Sequence, residues 1–539
     1  MLTLPLEPTD DRANPIFKDA AECKQWLSQL QLTNLQLAHS LLLTQVAQFT
    51  QFALHGLERM NTLELLRDTV HYVQNEYAKK LIAKPLPLKE NELIIFFAIV
   101  HLWQAMAIGY QRCLQAYLAG DKKLENRAAF LCQRCLLYSG LAIAEHLRTG
   151  HEFDSKLWHQ LHALYGFAEG QELQQQDVPE PLNPSVPTSS CHHIYIKTML
   201  TCYAHTAELS RSQLQMVDCW LNAWSHAVPL ELSYALSKGD APPLALDIAG
   251  KQGLQPVKLV THSLSMRYIA MVPLSKIIRV KTIMLQQGRT PAEVELGNDG
   301  NSQECIELLT FLHQCWCEDY SARFTVRTPS SQYAQLCYTA DNIYAHIAGK
   351  PFKQSAPSSV SNAVAQKQIE TYGRVLEESH RSLSGAAPPL ETWQFENESV
   401  MGAKLIRLDT QGERLAHKQL FALRSDDAET YMLGVISWVT MTRTGQLRIG
   451  VRYLPGVVQA IGLRIKHANA DSGDITAAGF MLQAVPALQS PPSLIIPRNG
   501  FQIRRKVEIQ HVNGEKQNAT MGFSVERGVD FERVSFTLI

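Results

Sequence analysis

The 539-residue chain has no surplus of charge: 50 Lys and Arg stand against 51 Asp and Glu. A protein that coats a nucleic-acid duplex needs a strong basic face to neutralise phosphates. The balance therefore excludes broad binding of a nucleic-acid polymer, yet leaves room for a small anion held by a few local arginines. The opening stretch MLTLPLEPTDDRANP lacks both a basic start and an apolar core, so no export signal is read there and a cytoplasmic location is expected. Long apolar runs are scarce. The most apolar, Leu93 to Gly109, is interrupted by His101 and Gln104 and sits at the short end for a bilayer span, which takes ~20 residues. A buried core helix is expected there, not a membrane span.

Catalytic signatures are missing as well. No G-x-S-x-G, P-loop, H-E-x-x-H or Rossmann glycine run appears in the required context. The 19 histidines are widely spread, and His313, His346 and His417 pair with no nucleophile. No catalytic residue, cofactor or metal is assigned, and the chain is not expected to be an enzyme. The 11 scattered cysteines read as reduced thiols rather than a disulfide framework. Cys132-Gln-Arg-Cys135 fits C-x-x-C, but it lies in the helical run RAAFLCQRCLLYSGLAIAEHL with no second pair, so it reads as core thiols. Cys191, His192 and His193 with Cys202 and His205 match no zinc spacing.

What is present divides the chain. Residues 1–170 read as an all-α helical bundle. Apolar positions recur at three and four, as in Leu30, Leu37, Leu41, Leu42 and Val46, with a break at Pro85-Leu-Pro87. Without a fixed repeat period, an irregular bundle is expected and not a solenoid. Residues 171–190, rich in Pro, Gln and Ser, read as a linker. Residues 191–318 read as an α+β middle domain, with short strands at LELSYAL, PLALDIA and PVKLVTH and helices over Ser275–Gln287 and Gln303–Cys317. Alternation then dominates from Tyr333, in YAQLCYTADNIYAHIAG. A low-complexity stretch and a helix over Val364–Leu383 interrupt it, forming an insertion at 349–389. Strands resume at WQFENES, AKLIRLD, KQLFALRS, TYMLGVISWVT, QLRIGVRYL and IGLRIKH. Many short strands at this spacing indicate a barrel or sandwich over 319–464, followed by a further small β extension over 465–539.

Two motifs carry chemistry. Arg323 and Arg327 are four apart between a helix and a strand. Guanidinium is planar, permanently charged and forked, so it can grip phosphate bidentately or lie on a purine face. Asn397 and Ser399 are two apart, on one face of a strand, and an amide beside a hydroxyl can read a guanine edge. Gly402 lacks a side chain, so a ligand or a neighbouring backbone can approach closely.

Taken in this order, R-x-x-x-R before a first strand and [DN]-x-S-x-x-G later, the C-terminal half resembles the PilZ family of bacterial cyclic di-GMP receptors. Gly434-Val-Ile-Ser-Trp438 and Ile449-Gly-Val451 match strands often seen in PilZ barrels. The resemblance covers about Asp319 to Arg464. It implies a six-stranded antiparallel β-barrel that binds cyclic di-GMP through Arg323, Arg327, Asn397, Ser399 and Gly402, with the arginine arm folding over the ligand. It also implies an effector that relays binding to a protein partner through the helical domain or the insertion. A PilZ-like scaffold that no longer binds nucleotide is the alternative. The family's usual spacing is exceeded, since seventy positions separate Arg327 from Asn397.

Overall fold

The computed structural model describes Leu2, Leu4 and residues 9–183, 186–318, 328–352, 389–409, 411–466 and 474–539. The chain divides into two compact units. One comprises Met1–Lys84 with Leu88–Arg323, the other Pro85–Pro87 with Phe324–Ile539.

The first unit begins with six helices: α1 Ala20–Gln29, α2 Leu35–Gln51, α3 Gly56–Ala78, α4 Glu90–Leu118, α5 Ala128–Arg148 and α6 Ser155–Gly170. Helix α4 is long and apolar enough, by length and composition, to cross a membrane. Here it is a core helix, packed against α2, α3 and α5 with Phe96, Trp103 and Tyr110 buried. Its start is set by Glu92, whose carboxylate accepts from the Lys89 backbone N–H at 2.8 Å.

The stretch read as a linker is instead fastened into this unit. Strands β1 Val178–Pro179 and β2 Thr188–Ser189 form a small hairpin. Glu180 beside it is buried and ion-pairs with Arg67 of α3 and, at 2.8 Å, Arg134 of α5. The composition signals a turn-rich path, but a carboxylate that neutralises two buried guanidiniums ties that path to the core.

Beyond it come α7 Cys191–Tyr203 and α8 Arg211–Trp224, then β3 Leu230–Glu231, β4 Leu244–Asp247, β5 Gln255–Pro256 and β6 Met266–Ile269, then α9 Val272–Gln286 and α10 Ser302–Cys317. Reciprocal capping boxes set two of these helix starts, Ser210 with Gln213 and Asn301 with Glu304. The sheet order is β3-β6-β4-β5. Its central strand β6 is absent from the sequence reading. It has only four residues, Met-Arg-Tyr-Ile, all buried with the charged Arg267 among them, so it is too short for a two-residue period to stand out and its one charge does not mark an outer face. In PVKLVTH only the leading Pro256 is in a strand, and Val257–Leu259 turns into a 3-10 helix. Helix α10 is tied to α7 by the Trp316 indole N–H, which donates to the Leu200 carbonyl at 3.1 Å. The middle region therefore shares one compact unit with the bundle.

In the second unit, β7 Thr328–Pro329 and β8 Tyr333–Tyr338 precede α11 Ala340–Ala348, followed by β9 Glu391–Ser399, β10 Gly402–Arg407, β11 Leu420–Ser425, β12 Met432–Met441 and β13 Leu447–Tyr453. Every pairing is antiparallel. The sequence β10-β13-β12-β11-β8-β9 closes on itself through β9–β10, and β7 adds to β9. The alternation in YAQLCYTADNIYAHIAG is half strand and half helix. Ile343 and Tyr344 are buried and Ile347 packs against the same core, the three-and-four spacing of a helix face. Gly349 ends the helix in the left-handed region at φ 68°. The expected helix over 364–383 lies outside the described residues.

Strands β14 Val458–Ile465, β15 Ile475–Leu482, β16 Ser493–Pro497, β17 Lys506–His511, β18 Lys516–Arg527 and β19 Phe531–Leu538 form a second closed barrel, in the order β14-β15-β16-β19-β18-β17. IGLRIKH thus contributes to this barrel and not to the first, pairing with β15 and β17. Ile461, Leu463 and Ile465 alternate into its core with Val507, Ile509 and Val534. Helix α11 packs on strands of both barrels, and a shared cluster runs from Leu420 and Leu433 to Phe480 and Phe531.

Candidate functional site

Arg323 and Arg327 lie outside the described residues. The two residues that follow them do not. Thr328 pairs with Glu398 and Pro329 with Asn397. The backbone leaving the arginine segment therefore runs alongside the strand that carries Asn397 and Ser399, although the sequence between them is long.

A β-bulge decides which way the polar pair points. On β9–β10, Ser399 stands opposite Gly402, Glu398 opposite Ala403 and Asn397 opposite Lys404, but the next pair is Phe395 with Leu405. Glu396 is the extra residue. Residues directly opposed on neighbouring strands share a face. Phe395 and Leu405 are buried in the barrel. Past the bulge, Asn397 shares the outer face with Lys404, and Glu398 turns toward Ala403, where the Tyr453 hydroxyl donates to it at 2.8 Å. Without the bulge, Asn397 and Ser399 would continue the buried series of Trp393 and Phe395.

The outer row extends further. Lys404 stands opposite Gly450 of β13, and Gly450 opposite Trp438 of β12. A Cβ on Gly450 would lie 2.0 Å from the Trp438 Nε1, so the indole is laid across the bare glycine. Pro329, Asn397, Lys404, Gly450 and Trp438 thus form one line across five strands. The two downstream motifs of the sequence meet here as indole and socket. Lys404 was missed by sequence reasoning; its signal was its place two residues beyond Gly402 on an alternating strand.

The charge on this face is partly balanced. The Glu396 carboxylate ion-pairs with Lys404 Nζ at 2.8 Å and with Arg448 Nε at 3.1 Å. Gly402 serves the barrel itself: a Cβ there would lie 2.1 Å from the Val451 carbonyl oxygen. The close neighbour is thus the β13 backbone. The Ser399 hydroxyl donates to the Gly402 carbonyl at 3.0 Å and so clamps the β9–β10 turn, leaving its lone pairs to accept. The face combines an aromatic plane, an amide, a hydroxyl and two cations. Such a set can stack on a purine and bind its phosphate.

The thiol candidates are core groups. Cys132, Cys135 and Cys191 are buried and unbridged, and burial pushes the Cys132 thiol up to about 12. The His192 ring makes a 2.8 Å hydrogen bond with the Val228 carbonyl. No cluster of potential metal ligands occurs among the described residues.

Residues 21–235 match the family described as the N-terminal domain of the cyclic-di-GMP receptor FimW, and residues 461–539 match the FimW C-terminal beta-barrel domain. The second match falls on the second barrel, and the first barrel lies between the two matched stretches. The cyclic-di-GMP receptor FimW of Pseudomonas aeruginosa is 24% identical over 565 aligned positions, covering 95% of this chain and 90% of the relative.

Proposed function

We propose that this chain, which carries the N-terminal and C-terminal domains of the FimW receptor family, is itself a cyclic di-GMP receptor that holds the dinucleotide on the outer face of its first barrel. The observation that carries the reading is the pairing of Thr328 with Glu398 and of Pro329 with Asn397, which sets the residues just after Arg327 in sequence beside the strand that carries Asn397 and Ser399. In this reading the arginines clamp phosphate and cover a base, Asn397 and Ser399 read a guanine edge, and Trp438 offers a stacking plane. Gly402 acts by closing the barrel beneath them. No chemistry is performed on the ligand. The protein acts in the cytoplasm as an effector, and the helical unit or the 349–389 insertion passes the bound state to a protein partner. Such a relay requires that the ligand bind two arrangements with different affinity.

Titration calorimetry of the full chain with cyclic di-GMP tests this. Saturable heat and a rise in melting temperature are expected, both abolished in Arg323→Ala with Arg327→Ala. Silence of the wild-type chain at high ligand concentration overturns the reading, and undiminished affinity in the double variant moves the site elsewhere. A second reading, a scaffold that binds no nucleotide, is favoured by Glu396, which already supplies an anion to Lys404 and Arg448. It is favoured also by Phe523, Val525 and Leu538, which leave apolar surface exposed on the second barrel. The same titration separates the two.

A further inference from the structure

The first unit holds a cavity of about 870 Å³ that the barrel site does not use. This lies in the range of pockets that enclose small organic ligands, ~300–1,000 Å³. Arg112 of α4 is at its floor, and Lys156 of α6 and Lys251 are at its rim. Arg112 is 9% exposed, whereas both lysines are exposed. No Asp or Glu lines the cavity among the described residues. Asp154, the N-cap of α6, is not a lining residue, and its carboxylate accepts from the Lys156 backbone N–H at 2.8 Å.

A second guanidinium of the same unit, that of Arg59, does not line the cavity. Arg59 is also buried and donates to the backbone carbonyls of Phe49 and Phe52. Burial first, and the neighbouring Arg112 charge besides, hold its guanidinium down at about 10. The lining itself carries Arg112, Lys156 and Lys251 and no carboxylate among the described residues, an excess of positive charge that favours an anion. Lys251 is held in place, because its loop is fastened to α6. The His162 ring makes a 2.8 Å hydrogen bond with the Gln252 carbonyl, and a Cβ on Gly253 would lie 2.9 Å from the Trp158 ring. The remaining wall is apolar, with Ile108 and Leu157, and carries amides such as Gln104 and Gln160.

We infer that this cavity is a second ligand site, for a small organic anion whose apolar body lies along Ile108 and Leu157 and whose negative head meets Arg112, Lys156 and Lys251. It is separate from the proposed dinucleotide face and stands whether or not that face binds.

Anilinonaphthalene sulfonate, a flat organic anion of suitable size, is the probe for the full chain. Saturable fluorescence enhancement is expected. Lys156→Gln with Lys251→Gln weakens the probe about tenfold and reduces its salt dependence, Arg112 remaining to meet the head. Ala163→Trp, which fills the cavity from its wall, abolishes binding, and Asn397→Ala with Ser399→Ala leaves it unchanged. Displacement by guanosine monophosphate identifies a phosphorylated aromatic ligand, and displacement by octanoate an acyl carboxylate. The inference falls if neither competitor displaces the probe, if the lysine and tryptophan variants bind it as the wild type does, or if the Asn397 and Ser399 variant loses it.

Discussion

Pro329 stands directly opposite Asn397, joining the strand after the arginine segment to the strand with the polar pair. The 349–389 insertion adds sequence between them without separating them at this register. The consequence is testable at Asn397, where the side chain sits on the outer face and off the core. Asn397→Ala is expected to weaken cyclic di-GMP at least tenfold, on the order of 1–3 kcal/mol for a lost base-edge contact, while leaving the melting temperature within a few degrees of wild type. Calorimetry and thermal denaturation on one preparation check both halves. Unaltered affinity removes Asn397 from the site.

Gly402 behaves oppositely. A Cβ there meets the Val451 carbonyl oxygen, a backbone atom that cannot swing aside. Gly402→Ala should therefore destabilise the barrel by about 1–3 kcal/mol and lose ligand only as a consequence. A variant with the wild-type melting temperature but no affinity would show that the glycine serves ligand approach instead.

Glu396 is the carboxylate that holds Lys404 and Arg448 on this face. Neutralising it in Glu396→Gln redirects both cations toward a ligand. Affinity for cyclic di-GMP should rise about threefold to tenfold, with a steeper dependence on salt. Weaker binding in low salt contradicts this and gives Glu396 a positioning role.

The legible parts of this chain were those with a period or a punctuation mark. Helices α2 and α5 show apolar positions at three and four, and the strands from Trp393 onward alternate, so bundle and barrel could be read directly. Strand β6 could not, because it is four residues long and its Arg267 is buried and paired with Glu169, so the charge does not mark an outer face. The bulge at Glu396 was equally hidden. A simple two-residue period puts Asn397 on the face of Phe395, and only the register with β10 reveals the switch. The boundary between the barrels was invisible for a related reason. Leu447–Tyr453 and Val458–Ile465 have the same pattern, and their partners, not their composition, assign them to different barrels.

The stretch read as a linker is where composition misled, and Glu180 gives the test. Its carboxylate is the shared counterion of Arg67 and Arg134, both almost fully buried. Glu180→Ala strands these charges, although Glu64 still pairs with each of them. A loss of about 3 kcal/mol is expected, the cost typical of breaking a buried pair from one side. Protease cleavage within residues 171–190 should quicken accordingly. Cleavage at the wild-type rate with undiminished stability would restore the linker description.

Acid should undo the first unit before its carboxylates titrate. Burial lowers His71 to about 3, with the Arg67 and Arg134 charges adding to it, and lowers His146 and His193 to about 4. In the unfolded chain each binds a proton near its ordinary value of 6.5. Between these values the unfolded state holds the proton and the folded state does not. The stability of the neutral form is thus complete above about pH 6.5 and is lost as pH falls toward 4. At pH 5 each histidine accounts for roughly 2 kcal/mol, from ~1.4 kcal/mol per pH interval. Glu64 acts lower. Burial raises its pKa, but the Arg134 contacts outweigh burial and hold it below its ordinary 4.5, so its contribution disappears only under stronger acid. Denaturant titrations at pH 7.5 and 5.0 should show this loss, to which the lowered His39, His151, His162 and His192 also contribute, and His71→Phe should reduce it by roughly 2 kcal/mol. A stability flat across that interval, or a loss unchanged in His71→Phe, contradicts the assignment.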